Sequence, residues 1–224
     1  MNLIKTLVFV IMPFCIFQKS IAQTVNWETL ENSNHIISVG IGWDYSFSYN
    51  LGYAYQLKVK TPLLLTANFS IPSGETLLDD FKTKIGAQVL LLDKDNLKGT
   101  VVLNGIYRRY ENPLVRLHNF GSEFKVTFGY YKSRWFAAGE VGFDKAIVTH
   151  FKHSEIFKET IFPDVEDGWY EPATGGNFNY GLLTGYSFKK SDLTFNLGMS
   201  ITQDFRTTPS IPLYLMLGYN YRLD

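Results

Sequence analysis

Alternation of apolar and polar residues with a period of two runs through most of the chain. In the first such stretch Ile37, Val39, Ile41, Trp43 and Tyr45 alternate with serine, glycine and aspartate. Successive side chains of a β-strand point to opposite faces, so this period predicts strands rather than helices. Ten stretches carry the pattern, the fifth less clearly than the others, and they predict strands over residues 37–45, 51–59, 63–71, 81–91, 99–110, 124–130, 135–147, 180–188, 193–201 and 213–223.

The connections between these stretches are alternately short and long. The short ones are rich in turn-forming and charged residues, and they lie near residues 59–62, 93–96, 133–134 and 189–192. The longer ones cover residues 47–50, 72–80, 111–120, 150–176 and 204–211. Short turns at one end and longer loops at the other describe an up-and-down antiparallel meander. We therefore predict an all-β barrel of about ten strands that forms a single domain over residues 23–224.

The composition of the two strand faces predicts which face points outward. One face is an almost unbroken series of Leu, Val, Ile, Phe and Tyr over about five positions, the length that a bilayer-crossing strand requires. The other face is rich in Gly, Ser, Thr and Asn, whereas the water-exposed face of a soluble barrel usually carries more Lys and Glu. Aromatic residues near strand ends match an interfacial belt: Tyr45, Tyr53, Tyr130, Trp135, Tyr186, Tyr219 and Tyr221. This pattern predicts a transmembrane β-barrel, with a soluble exported barrel as the alternative.

The first 22 residues predict a secretory signal peptide. A basic region ends at Lys5, an apolar stretch follows, and Ser20 and Ala22 supply the small residues of a cleavage site after Ala22. Cys15, the single cysteine, lies in this segment, so residues 23–224 contain none. We expect closure of the barrel, rather than disulfide bonds, to stabilise the exported chain.

Charge and composition limit the function. The chain has 21 basic and 21 acidic residues, and this balance predicts no nucleic-acid partner. Charges of both signs fall on the polar face of neighbouring strands. Because an unpaired buried charge is costly, these charges are predicted to pair and to close a narrow lumen: Lys84, Glu123, Lys125, Glu140 and Asp144. A general porin is therefore not expected, and a narrow pore stays open as an alternative.

The longest loop, Ser154–Gly176, carries more large apolar side chains than a solvated loop usually does. We predict that it lies outside the cell and either packs over the barrel mouth or contacts a partner protein. The candidate contact residues are Phe157, Ile161, Phe162, Trp169 and Tyr170.

The last strand resembles the β-signal that the barrel-assembly machinery reads, with Gly218, Tyr221 and Leu223 at the matching positions. Together with the signal peptide and the Tyr-rich strands, it makes the chain similar to small outer-membrane β-barrels of Gram-negative bacteria, in composition most like those of the Bacteroidota. The resemblance implies an outer-membrane location, contact with outer-membrane lipid, and contact with the assembly machinery during biogenesis.

Histidines at the loop side raise the question of catalysis. Ten-stranded outer-membrane barrels include the omptin-like proteases, which this chain resembles in strand number. His118, His150 and His153 could act with a nearby carboxylate, and the candidates are Asp79, Asp80, Glu155 and Asp204. The spacing matches no catalytic motif, and His150 and His153 lack a clear third metal ligand.

We therefore predict no catalytic residue, no metal site and no cofactor. The leading hypothesis is a non-catalytic structural or interaction barrel, for example an accessory subunit of an outer-membrane complex. A rim-located protease or lipid hydrolase and a narrow pore are the alternatives.

Overall fold

The computed structural model describes residues 24–30, 33–74, 76, 78–172, 175–206, 209 and 211–223. The predicted signal peptide, its cleavage site and Asp224 lie outside these residues. The strands are β1 (His35–Trp43), β2 (Phe47–Leu57), β3 (Leu63–Pro72), β4 (Asp80–Lys94), β5 (Leu97–Glu111), β6 (Val115–Tyr131), β7 (Trp135–His153), β8 (Gly168–Tyr170), β9 (Gly176–Phe188), β10 (Ser191–Thr202) and β11 (Leu213–Leu223). A 3₁₀ turn (Trp27–Thr29) and a helix α1 (Glu155–Thr160) complete the described elements. Neither of these two helical segments is long and apolar enough to cross a membrane.

Ten of the strands form a closed ring. Consecutive strands pair antiparallel, β7 pairs with β9, and β1 pairs with β11 to close the barrel. In the closing pair Ile37 lies opposite Tyr221 and Trp43 lies opposite Leu215. The predicted up-and-down antiparallel barrel is confirmed, and β8 adds a short eleventh strand to the loop-side part of β7.

The two faces of the wall differ as the alternation predicted. Leu182, on the exterior, is 66% exposed, whereas Glu140, on the interior, is 4% exposed. The interior positions are polar along most of the barrel, and the exterior positions are Leu, Ile, Val, Phe and Tyr. An apolar exterior around a polar interior is the arrangement of a transmembrane barrel, because lipid contacts the apolar face.

Strand length varies around the ring. β1, β2 and β3 have 9, 11 and 10 residues, close to the length that crosses a bilayer, whereas β5, β6 and β7 have 15, 17 and 19. β7 pairs with β9 only as far as Lys145, so its last residues extend beyond β9. We call the loop-side ends of β5 to β7 (residues 107–111, 115–120 and 146–153) the raised wall.

The raised wall corrects two predicted loops. Most of residues 111–120 belongs to β6, and only the three residues 112–114 connect β5 to β6. β7 likewise continues to His153, into the predicted loop 150–176. The apolar alternation ends where a strand leaves the lipid, because its outer face is then in contact with water, although the backbone pairing continues.

Two further predictions at the β1–β2 connection are wrong. Residues 47–50, predicted as a loop, open β2, and the actual connection is residues 44–46. Tyr45, predicted on the lipid-facing belt, lies in this turn instead. Its ring is 4.4 Å from Lys82 Nζ and 4.5 Å from Arg108 Cζ. The strand ends at Trp43, so the alternation no longer sets the direction of Tyr45.

Candidate functional site: the filled lumen and the loop-side rim

The five predicted lumen charges all point into the barrel. Lys125 Nζ is 2.9 Å from Glu140 Oε2 and 3.8 Å from Glu123 Oε1, and Lys84 Nζ is 3.7 Å from Glu123 Oε2. Tyr214, on β11, donates a hydrogen bond to Glu140 Oε1 at 2.7 Å. This central network connects β4, β6, β7 and β11, so it fills the middle of the barrel with paired charges.

Asp144 is held by amides rather than by a cation. Asn179 Nδ2 donates to Asp144 Oδ1 at 2.6 Å, and Asn177 Nδ2 donates to Oδ2 at 3.2 Å. The structure adds three interior ion pairs that the sequence analysis did not identify: Lys82–Asp44, Arg108–Asp80 and Arg222–Asp192. The charges themselves are visible in the sequence, but closure of the ring determines which of them meet.

An N-terminal plug, residues 24–30, closes the turn end of the barrel. Val25, Trp27 and Leu30 are buried in an apolar cluster with residues of the inner wall that include Tyr131 and Phe136. Polar contacts tie the plug to several parts of the ring. Asn26 Nδ2 donates hydrogen bonds to Lys132 O and to Ser187 Oγ, both at 2.8 Å. Asn220 Nδ2 donates to Thr24 O at 2.6 Å, and Lys98 Nζ lies 2.9 Å from Glu28 Oε2.

Sequence reasoning missed the plug, because three apolar residues in seven show no strand or helix period. A cavity of about 70 Å³ lies next to it and is lined by residues that include Thr24, Asn68 and Asn196. That volume admits a few water molecules. The described interior is thus occupied at two levels, by the plug and by the central network.

The outer wall carries a groove of about 700 Å³ on the side of β6 to β11. Gly139 leaves it open between Phe128 and Leu182, which are its cross-strand neighbours. All three lie on the lipid-facing side, so in a bilayer lipid chains are expected to fill this groove.

The rim histidines occupy different surroundings. His118 and His150 are cross-strand neighbours on the outer face. Tyr107 Oη is 2.8 Å from His118 Nδ1, and the His150 ring meets Trp169 edge-on at 4.9 Å. His153 lies three residues after His150 and therefore on the opposite face of β7, so these two side chains do not converge on one ligand.

His153 does meet a carboxylate, but it is Asp167 rather than one of the four predicted candidates. Asp167 Oδ1 accepts a hydrogen bond from the His153 backbone N–H at 2.8 Å and lies 2.9 Å from His153 Nδ1. Lys158 Nζ donates to Asp167 Oδ2 at 2.9 Å. These hydrogen bonds, with the one from the His153 backbone contributing most, hold the pKa of Asp167 well below its usual range. We call this contact the Asp167 clasp.

The clasp joins both ends of the folded loop. Ser154 caps α1 by accepting a hydrogen bond from the Phe157 backbone N–H at 3.2 Å, and Phe157 stacks on His153 with ring centroids 4.9 Å apart. Asp167 then ties the segment that precedes β8 to the end of β7. The loop is therefore an ordered platform above the raised wall.

The clasp predicts acid sensitivity of this platform. Because the folded state lowers the pKa of Asp167, its stabilisation is fully present above the ordinary carboxylate pKa of about 3.9 and declines as the pH falls from there through the lowered pKa. A dye attached to Glu159→Cys is expected to show high anisotropy at neutral pH and a falling value below about pH 4. Residues 23–224 contain no other cysteine to compete for the dye.

The control variants separate the clasp from a general acid effect. Asp167→Asn is expected to show low anisotropy both at neutral pH and in acid. Glu155→Gln changes a weaker contact, 3.8 Å from Lys158, and is expected to keep the pH dependence of the unsubstituted loop. An unchanged profile in Asp167→Asn would show that the clasp does not order the loop.

The five predicted contact residues divide into three groups. Phe157 and Ile161 are half-buried within the loop, and Phe162 is 56% exposed. Tyr170 packs edge-on against Phe151 at 5.7 Å, while Trp169 lies on the outer wall, 6.0 Å from Phe120. Ile156, which the sequence analysis did not select, is 63% exposed on α1.

The predicted assembly-signal residues lie in the closing strand. Tyr221 and Leu223 are on the lipid-facing side and pair with Ile37 and His35 of β1. Gly218 is on the inner side, where the Thr194 hydroxyl is the nearest neighbour of the position that a Cβ atom would take. Recognition of these residues by the assembly machinery stays a prediction.

No family model matches this chain, and no curated protein matches it. One of the solved structures that match is the outer membrane protein Ail of Yersinia pestis, determined as a backbone structure in a phospholipid bilayer nanodisc. The two chains are 14% identical, the match covers 86% of this chain and 100% of Ail, and the TM-score is 0.33. A similarity this low supports no conclusion about function. The transmembrane assignment is based instead on the apolar exterior and polar interior described above.

Proposed function

We propose that the protein is a non-catalytic outer-membrane β-barrel of a Gram-negative bacterium, and that it acts as an accessory subunit by binding a partner protein through residues 154–172. The apolar exterior supports the membrane location. The plug and the central network support a structural or interaction role over a pore, since both occupy the path that an ion would take.

The observation that carries the proposal is the pair of exposed apolar side chains on an ordered loop. Ile156 and Phe162 are 63% and 56% exposed, although both belong to a loop held by the Ser154 cap and the Asp167 clasp. Exposing apolar side chains to water does not stabilise a loop. Holding these two side chains on an ordered loop, however, limits the conformational entropy that is lost when a partner binds. The partner chemistry that fits is an apolar protein surface with basic residues for the nearby carboxylates.

The His153–Asp167 pair is the observation closest to the alternative of a rim hydrolase. Its carboxylate already accepts hydrogen bonds from Lys158 and from the His153 backbone. This bonding supports an anchoring role for the pair rather than catalysis.

Replacing the two exposed residues by serine tests the proposal. Ile156→Ser/Phe162→Ser is expected to reduce recovery of the partner protein in pull-downs of the detergent-extracted barrel by about thirtyfold, the effect of losing an interface hot spot. The barrel itself should be as stable as the original, because both side chains are exposed.

Phe205→Ser is the matched control. Phe205 is 66% exposed and belongs to another loop at the same end of the barrel, so its replacement should leave partner recovery unchanged. Docking through residues 154–172 would be contradicted if the double variant recovered as much partner protein as the original barrel. It would also be contradicted if the double variant and Phe205→Ser reduced partner recovery equally.

A further inference from the structure

Basic side chains occupy the outer face of the raised wall. Arg109, His118 and His150 are cross-strand neighbours in one row on β5, β6 and β7. Arg116 and Lys152 are neighbours in the next row toward the loops. Phe120 marks this face as the exterior, because it is 43% exposed and lies two residues from His118. The wall therefore presents Arg109, Arg116 and Lys152, together with two histidines, outward and not into the lumen.

Among the residues that the structure describes, this arrangement lies on one side of the barrel. At the loop end of the other strands the exterior residues are aromatic or aliphatic: Trp43, Phe47, Ile71, Phe178 and Ile201. Lys145, lower on β7, adds one more basic residue on the same side. Evenly scattered charges would be expected if these residues served only solubility, so the clustering points to a ligand.

The acidic groups near this face position two of the arginines. Glu111 lies on the same outer face and accepts hydrogen bonds from Arg109 at 2.5 Å and from Arg116 at 2.6 Å. Asp79, in the β3–β4 loop, adds a weaker attraction on Arg116. Each guanidinium has five N–H donors, so one bond to Glu111 orients the group and leaves further donors for an anion.

An aromatic row fixes the height of the basic face relative to the membrane. Tyr107 and Phe120 are cross-strand neighbours directly below the His118 row, and Trp169 packs beside Phe120. Aromatic side chains concentrate at the boundary between lipid chains and water. The basic rows above them therefore lie at the level of the lipid head groups.

We propose that this face binds the phosphate groups of a phosphorylated glycolipid in the outer leaflet. Arginine matches phosphate oxygens through paired N–H donors, and lysine adds a point charge. The lateral position of the face favours a lipid, because a head group beside the barrel meets it directly. The inference goes beyond the partner role proposed above; it rests on the proposed outer-membrane location with the longer loops outside, and not on the partner protein.

The test compares two forms of one lipid on the detergent-purified full barrel. Native mass spectrometry would measure the affinity for lipid A carrying both phosphates and for the same lipid after dephosphorylation. Arg116→Ser/Lys152→Ser is expected to weaken binding of the phosphorylated form by about thirtyfold, since each basic residue near such a surface contributes appreciably. Lys58→Ser/Lys60→Ser, at the turn end, is the matched control and should bind as the original does.

The proposal would be overturned if the barrel bound the two lipid forms with equal affinity. It would also be overturned if Arg116→Ser/Lys152→Ser bound the phosphorylated lipid as tightly as the original does, or lost no more affinity than the control variant. Displacement of the lipid by inorganic phosphate in modest excess would assign the face to free phosphate instead. The heat-dependent shift in gel mobility that folded barrels show would establish that each variant is folded. If the double variant does not fold, the single variant Lys152→Ser takes its place, with Lys58→Ser as control.

Discussion

Replacing Lys125 by methionine is expected to lower the free energy of unfolding by about 3–5 kcal/mol. Lys125 lies between Glu123 and Glu140 in the barrel interior, where all three side chains are almost completely buried. Removing the cation leaves two carboxylates close together with less compensation, and burial of an uncompensated charge is far more costly than the loss of an exposed ion pair. Urea titration of the barrel in lipid vesicles, followed by tryptophan fluorescence, would measure the change.

A second substitution tests the cause of that loss. Lys125→Met/Glu140→Gln removes one of the two carboxylates, and the amide oxygen of the introduced glutamine can still accept the hydrogen bond from Tyr214. The double variant is expected to recover part of the stability that the single variant loses. If the single variant unfolds at the same urea concentration as the original, the central network does not stabilise the barrel.

Replacing Trp27 by alanine is expected to cost about 3–5 kcal/mol, the usual result of removing a large buried aromatic side chain. Trp27 is 5% exposed and fills the apolar cluster at the turn end together with Val25 and Leu30. The variant leaves a cavity inside a closed ring whose hydrogen-bonded strands have little freedom to collapse around it. The same urea titration would detect the loss.

Trp169→Ala is the matched control, because Trp169 is 60% exposed on the outer wall. Its replacement should change the free energy of unfolding by about 1 kcal/mol or less, as for most exposed positions. Equal losses in the two variants would mean that the plug is no more important to stability than a surface residue.

The strands and their orientation could be predicted because lipid and lumen impose opposite requirements on alternate residues. Leu213, Leu215 and Leu217 alternate with Tyr214, Met216 and Gly218 throughout the closing strand, and the structure turns the leucines outward. The same reasoning predicts Lys84, Glu123, Lys125, Glu140 and Asp144 on the interior face, where their side chains are buried.

The rim could be predicted only in part. The apolar content of residues 154–176 predicted a loop that packs over the barrel mouth or contacts a partner, but the carboxylate that meets His153 was not among the candidates. Asp167 lies 14 residues from His153 in the sequence, and the two meet because α1 and β8 bend the loop back onto β7. No periodic pattern encodes that return. Residues 115–120 were missed for a related reason, since a strand outside the lipid no longer needs an apolar face.

The amino-acid sequence alone thus established a ring of about ten strands, an exterior suited to lipid and a charged interior, since each follows from local alternation and the high cost of unpaired backbone groups in lipid. Folding in three dimensions established which charges pair, that residues 24–30 plug the turn end, and that the basic side chains of β5 to β7 form one outward face. These features join residues far apart in the sequence. They therefore depend on closure of the ring and on the register of its strands, which the period of two does not specify.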